Sequence, residues 1–163
     1  MTYRHEVLLP APDDWDAWRG AARRLIAAQV PPDRVAWRVA GAPAIGDLFT
    51  SPEHPLPVPH PDALPPRVPR AFPDLARKAA LHCDPERFGL LYRLLWRLQA
   101  MRRLLDDATD DDVRAVAALA REVRRDIHKM RAFLRFREVP EDGGQSRYVA
   151  WFEPVHHIVR ANA

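Results

Sequence analysis

Apolar residues recur along this chain at spacings that predict short strands and helices in alternation. Residues 3–9 are typical of a short strand, which prolines terminate. A helix is expected from Asp13 or Asp14 to about Gln29, because several apolar residues share one helical face: Trp15, Trp18, Ala22, Leu25 and Ile26. Residues 34–39 alternate as a second strand. Residues 1–51 are therefore predicted to form a strand–helix–strand unit.

The middle of the chain is rich in proline. Nine of the 22 residues from Pro52 to Pro73 are proline, and each one fixes φ and removes an amide donor. Such a segment holds neither a helix nor a central strand. Residues 52–73 are interpreted as an extended crossover, and a PxxP-type recognition segment is the less favoured alternative.

Residues 74–163 are predicted to form a helical core. One helix is expected from Val68 to His82, and Asp84 followed by Pro85 is a typical start for the next. The apolar face of that second helix comprises Phe88, Leu91, Leu94, Leu95 and Leu98. Tyr92 and Trp96 flank this face, so we interpret them as core residues in preference to a base-stacking platform.

A third helix over residues 112–134 carries two parallel patterns. Three acids open it, and apolar residues then recur every three or four positions: Val113, Val116, Ala120, Val123, Ile127, Met130 and Leu134. Basic residues recur at the same spacing: Arg121, Arg124, Arg125, His128, Arg131 and Arg135. At about 100° per residue, the apolar set and the basic set occupy two arcs of the helix surface whose centres lie about 110° apart. One helix can therefore bury the first arc and expose the second.

The C-terminal part is predicted to contain a β-hairpin. Residues 134–139 and 147–152 alternate, and the sequence between them contains turn residues. Glu153-Pro154 is expected to start another helix, and the domain is expected to be truncated after it. The fold class is therefore α+β: a small strand–helix–strand unit, a helical core, and a C-terminal hairpin followed by a helix.

Charge changes the interpretation of the third helix. The 163-residue chain has a net charge of only +3, yet residues 114–137 hold eight basic and two acidic side chains, a net of +6. Arginine forms forked hydrogen bonds to phosphate, so the row predicts a nucleic-acid-binding surface, and Lys129 lies at its edge. The alternative is a solvated helix face that Glu122 and Asp126 partly neutralise.

Histidines near the C-terminus offer candidate chemistry. Glu153, His156 and His157 could act in acid–base catalysis, and His128 would complete such a site from another helix. Neighbouring helical residues point about 100° apart, so the favoured interpretation gives one histidine a structural role and exposes the other. His82-Cys83 is interpreted as a buried thiol beside a helix end. No metal site is predicted.

Several classes of protein are excluded or disfavoured. The single cysteine, Cys83, excludes an intrachain disulfide and a four-cysteine cluster. The chain lacks a glycine-rich phosphate loop and a Gly-x-Ser-x-Gly motif, which are signatures of common enzymes. It also lacks a signal-peptide core and any long apolar run, so a cytoplasmic location without membrane association is expected.

Three segments resemble one bacterial family assigned to DNA metabolism. They are Asp84-Pro-Glu-Arg-Phe-Gly-Leu-Leu-Tyr-Arg-Leu-Leu-Trp-Arg-Leu98, Val123-Arg-Arg-Asp-Ile-His-Lys-Met-Arg-Ala-Phe-Leu-Arg-Phe-Arg137 and Tyr148-Val-Ala-Trp-Phe-Glu-Pro-Val-His-His-Ile-Val-Arg160. Residues 14–37 also resemble its N-terminal part. That family carries a domain of unknown function beside a radical-SAM protein, or fused ahead of a UdgX-type uracil-DNA glycosylase.

The resemblance implies a role in DNA repair or modification, on DNA that contains uracil in the fused proteins. The iron–sulfur cluster and the uracil pocket would belong to the fused glycosylase, so no cofactor is expected in this chain. The positions carried over are Arg124, Arg125, His128, Lys129, Arg135, Glu153, His156 and His157. Val155 stands where the family usually has an acid, which weakens an enzymatic interpretation if that acid takes part in the chemistry.

The leading hypothesis is a DNA-binding or accessory module of a repair system, with the glycosylase activity residing in a full-length fusion. One alternative is an enzyme that acts on a nucleotide or damaged base through Glu153, His156 or His157. The other is a scaffold that binds a radical-SAM partner protein.

Overall fold

The computed structural model describes residues 5–41, 56–58, 64–140 and 146–160. Strand β1 (His5–Leu9), helix α1 (Trp15–Ala27) and strand β2 (Val35–Val39) form the predicted strand–helix–strand unit. The two strands pair in parallel, with His5 opposite Val35 and Leu9 opposite Val39. The carboxylate of Asp14 caps α1 by accepting the Ala17 N–H at 2.9 Å, which is why the helix begins there.

Three further helices complete the core: α2 (Phe72–Ala80), α3 (Arg87–Ala100) and α4 (Asp111–Phe133). Helix α4 packs against both α2 and α3. A continuous group of buried apolar side chains includes residues from β1, α1, α2, α3 and α4. The N-terminal unit and the helices therefore share one hydrophobic core.

Aromatic side chains connect the N-terminal unit to α3. The ring of Trp18 lies 5.9 Å from that of Trp37, which lies 5.6 Å from the ring of Tyr92. The Tyr92 hydroxyl donates a hydrogen bond to the Val30 carbonyl at 2.6 Å. Trp96 is half-buried against the same core. The core role predicted for Tyr92 and Trp96 is confirmed.

Two predicted helix starts differ from the structure. Helix α2 begins at Phe72 and not at Val68, because Pro69 disfavours a helical conformation at the residue before it. Helix α3 begins at Arg87, and Asp84 instead stabilises the preceding turn by accepting the Glu86 N–H at 2.8 Å. Helix α4 begins as predicted, with the Asp110 carboxylate accepting the N–H groups of Asp112 and Val113.

The C-terminal part contains the predicted hairpin, although its first strand begins three residues later and its second strand ends three residues earlier than expected. Strands β3 (Arg137–Pro140) and β4 (Ser146–Val149) pair in an antiparallel manner. The predicted turn residues, 141–144, lie outside the described part of the chain. The fold is α+β, as predicted.

The prediction of a helix that starts at Glu153-Pro154 is wrong, because residues 151–159 are irregular. The His157 N–H bonds to the Leu81 carbonyl at 2.9 Å, and the Ile158 N–H bonds to the His156 carbonyl two residues earlier. These amides are therefore used in tertiary and local contacts, and no i to i−4 ladder forms.

Candidate nucleic-acid interface

Helix α4 is anchored by its apolar stripe. Val113, Val116, Ala120 and Val123 are buried, whereas Ile127 and Met130 are half-buried. At its N-terminus, Arg93 and Arg97 bind the carboxylate of Asp112 at 2.6 and 2.8 Å. These contacts hold the first half of the helix firmly against α3. The second half extends toward the hairpin with less burial.

The basic row lies on the outside of α4 and of the segment that follows it. All seven predicted positions are exposed: Arg121, Arg124, Arg125, His128, Lys129, Arg131 and Arg135. Arg135 also donates to the Ala132 carbonyl at 3.0 Å, which satisfies a backbone acceptor at the end of α4. The helix thus exposes a row of cations at its surface, and a binding role for these residues stays a prediction.

In the alternative interpretation, two acids on α4 partly neutralise this row. Both acids accept hydrogen bonds from other parts of the protein. The buried Asp126 accepts the N–H groups of Val155 and His156, each at 3.1 Å. An oxygen of Glu122 lies 3.0 Å from Nε2 of His82, and that hydrogen bond is the main reason that the pKa of Glu122 is lowered. The charge of Arg121 also contributes to the lowered pKa of Glu122. Neither acid forms an ion pair with Arg124 or Arg125 within the described chain.

Exposed aromatic side chains continue the surface beyond α4. Among the described residues, Phe133 is 68% exposed, Phe136 64%, Tyr148 64% and Trp151 85%. Sequence reasoning did not identify them as functional. The available signal was the mixture of arginine and phenylalanine over residues 131–137, which does not show whether the rings remain uncovered after folding.

His156 is the central residue of a buried hydrogen-bonded cluster. Its ring lies 4.2 Å from the ring of His82, with 33° between the planes. The Cys83 N–H donates to Nδ1 of His156 at 3.3 Å, and the Asp84 N–H donates to Nδ1 of His82 at 3.0 Å. Because Nδ1 is an acceptor in both rings, the neutral form of each imidazole carries its proton on Nε2, and Nε2 of His82 faces Glu122. Burial, followed by the charge of His82, lowers the pKa of His156.

The predicted acid–base residues do not converge. His156 joins His82, whereas Glu153 and His128 are exposed. His157 is half-buried, and burial followed by the charge of Arg87 lowers its pKa. One histidine does have a structural role, as expected, but the other is not fully exposed. Cys83, which lies beside His82, is exposed, so the prediction of a buried thiol there is wrong.

The same cluster contains potential metal ligands. Ligand atoms of His82, Cys83 and His156 lie within 4.8 Å of one another. Both histidines, however, accept a backbone N–H at Nδ1 and carry a proton on Nε2. A metal ion would have to displace a proton or a backbone contact at each ring. The cluster is therefore better suited to dock the C-terminal segment than to bind a metal ion.

Arg87 supports the turn that holds His82, and sequence reasoning missed it. It is only 2% exposed and donates to the carbonyls of Ala80, Asp84 and Pro12 at 2.8, 2.8 and 2.7 Å. Burial lowers its pKa to about 10. Its guanidinium thus joins the turn between α2 and α3 to the N-terminal unit.

Comparison with known proteins identifies a DUF4130 domain, described as a domain of unknown function, at residues 85–163. That region includes α3, α4, the hairpin and the docked C-terminal segment, and therefore every residue of the basic row. No curated protein and no solved structure matches the chain. In the part of the chain that the structure describes, no helix has the length and apolar character needed to cross a membrane.

Proposed function

We propose that this chain is a DNA-binding or accessory module of a bacterial DNA-repair system, and that the outer face of α4 contacts the phosphate backbone. The observation that carries the proposal is the exposed basic row beside two acids that are engaged elsewhere. Arginine binds phosphate with two parallel hydrogen bonds, and release of counterions makes such contacts favourable.

The scaffold of α4 suits this role. Buried valines hold one side of the helix, and the Asp110 cap and the pairs of Arg93 and Arg97 fix its beginning. A helix held in this way presents charges at set intervals, so binding requires little reordering of the backbone.

The resemblance of residues 84–98, 123–137 and 148–160 supports a narrower proposal. On this proposal the chain acts in the cytoplasm with a UdgX-type uracil-DNA glycosylase or a radical-SAM protein, and the DNA partner contains uracil. Recognition of uracil and the iron–sulfur cluster are assigned to the glycosylase. This chain would supply affinity for the strand and needs no cofactor of its own.

The test compares two double variants that remove the same charge. Arg124→Ala with Arg125→Ala removes two residues of the row, whereas Arg19→Ala with Arg23→Ala removes two exposed arginines of α1. Affinity for fluorescent oligonucleotides, with and without uracil, is measured by anisotropy at fixed salt. We expect the first pair to weaken binding by about tenfold or more, because two phosphate contacts are lost.

The α1 pair is expected to change affinity by less than about twofold, because general charge attraction is screened at physiological salt. Equal loss in both double variants would indicate nonspecific attraction and would contradict the assignment of the surface. Absence of DNA binding, together with co-purification of the radical-SAM protein, would favour the scaffold alternative.

A further inference from the structure

Four aromatic rings are exposed at one end of α4 and along the hairpin. Phe133 ends the helix, Phe136 precedes β3, Tyr148 lies in β4, and Trp151 follows it. Their exposed fractions range from 64% to 85%. Leaving large apolar rings in water is unfavourable, and clustered exposed apolar surface marks interaction sites. The exposure of these rings therefore indicates a site that binds a partner.

Arginines alternate with the rings. Residues 131–137 contain Arg131, Arg135 and Arg137 and no acid, so Phe133 and Phe136 lie in the same segment as the end of the basic row. Tyr148 and Trp151 follow in the second strand of the hairpin and just after it, and Tyr148 pairs with Glu138. A protein partner for this surface would have to supply a matching run of acids. A nucleic acid supplies one phosphate for each base, which fits arginines and aromatic rings in alternation.

The hairpin register places the arginines and Tyr148 on opposite faces of a two-stranded ribbon. Arg137 pairs with Val149, and Val139 pairs with Arg147, so these four side chains share one face. Glu138 and Tyr148 share the other face. All eight strand residues are exposed, so neither face is covered by another described element.

We infer that this surface binds single-stranded nucleic acid, with unpaired bases stacking on Tyr148, Trp151 and the neighbouring phenylalanines while arginines contact the phosphates. The inference rests on the proposed function and names the form of its substrate. In a duplex the base faces are stacked on one another, so an aromatic ring reaches a base face only in an unpaired strand.

The experiment compares single-stranded and duplex DNA of equal length. Wild-type protein is expected to prefer the single strand. Tyr148→Ala with Trp151→Ala should weaken single-strand binding at least about fivefold for each ring removed, with less than about twofold effect on the duplex. The matched control, Tyr148→Phe with Trp151→Phe, retains both rings and should retain the preference.

Tryptophan fluorescence provides a second readout. Stacking of a base on Trp151 should quench its emission when a single strand is added, and Trp151→Phe should remove that part of the quenching. All of these substitutions alter exposed side chains at positions 148 and 151. Circular dichroism with thermal unfolding checks that each variant remains folded.

Three results would overturn the inference. They are equal affinity of wild type for both DNA forms, an equal loss on both forms in the alanine variant, and retention of single-strand affinity in that variant. If binding still depends on Arg124 and Arg125 in any of these cases, the proposed DNA-binding function stands without the single-strand preference. If neither DNA form binds at low salt, both proposals fail.

Discussion

At the scale of single residues, the hydrogen-bond partner of each acid on α4 decides whether that acid pairs with the arginines of the basic row. Glu122 and Asp126 lie within one turn of the arginines in sequence, which suggested that they neutralise the row. Their actual partners are His82, 40 residues away, and the backbone of Val155 and His156, 29 and 30 residues away. Helical spacing predicts which residues are neighbours on α4, but it contains no information on a segment that docks from outside.

Asp126 tests this point. Asp126→Ala removes the acceptor of two backbone N–H groups at a site that is only 7% exposed. We expect the free energy of unfolding to fall by about 2–3 kcal/mol, because buried donors lose a charged partner. Urea denaturation measures the change. Asp74→Ala removes an exposed acid of α2 that pairs with Lys78, and it should lower stability by no more than about 1 kcal/mol. Equal effects would show that Asp126 does not hold the segment.

The pH dependence of stability tests the cluster around His156. Burial lowers the folded pKa of this residue below its ordinary value of 6.5, so the unfolded chain takes up the proton first. Its contribution is therefore present above about pH 6.5 and is lost as pH falls from there toward the lowered folded pKa. Glu122, whose pKa is also lowered, adds a further loss below its ordinary value of 4.5.

The groups that face His156 are His82 and Cys83 from the turn after α2, Glu122 and Asp126 from α4, and its neighbour His157. Unfolding in urea should be followed between pH 7.5 and pH 5. His156→Asn retains an acceptor for the Cys83 N–H and should reduce the slope, and His157, whose pKa is also lowered, should account for the part that remains. His128→Asn, at an exposed position, should leave it unchanged. A slope that is identical in all three proteins would contradict the assignment.

At the scale of elements, predictability follows the range of the interactions. Helix α4 was predicted closely because its cap at Asp110 and its apolar stripe are local features. The helix at Glu153-Pro154 was predicted wrongly because Asp126 and the Leu81 carbonyl capture the amides of that segment. The hairpin was recognisable from alternation and turn residues, but alternation did not reveal that both of its faces are exposed.

The turn between α2 and α3 depends on Arg87. Arg87→Lys keeps the charge but cannot supply three donors in a planar fork to the carbonyls of Ala80, Asp84 and Pro12. We expect a loss of about 2–3 kcal/mol in the free energy of unfolding, because buried carbonyls lose their donors. The matched control is Arg77→Lys at an exposed position of α2, with an expected change below about 0.5 kcal/mol. Thermal or urea unfolding distinguishes the two.

At the scale of the whole molecule, helix α4 contributes one side to the hydrophobic core and the other side to the basic surface. The N-terminal unit and α2 to α4 share a single core, and α4 carries its basic row on the outside of that core. The net charge of +3 conceals this distribution, since residues 114–137 alone contribute +6. The two arcs of α4 could be predicted from the sequence. The four exposed aromatics could not, because exposure depends on which surfaces remain uncovered after folding.

The salt dependence of DNA affinity tests the central claim most directly. The logarithm of the association constant should fall linearly with the logarithm of salt concentration, and each phosphate contact contributes about 0.7 to the slope on single strands. Arg124→Ala with Arg125→Ala should reduce the slope by about 1.4, while Arg19→Ala with Arg23→Ala leaves it unchanged. A slope that is the same in wild type and in the α4 double variant would contradict the claim that this row binds the phosphate backbone.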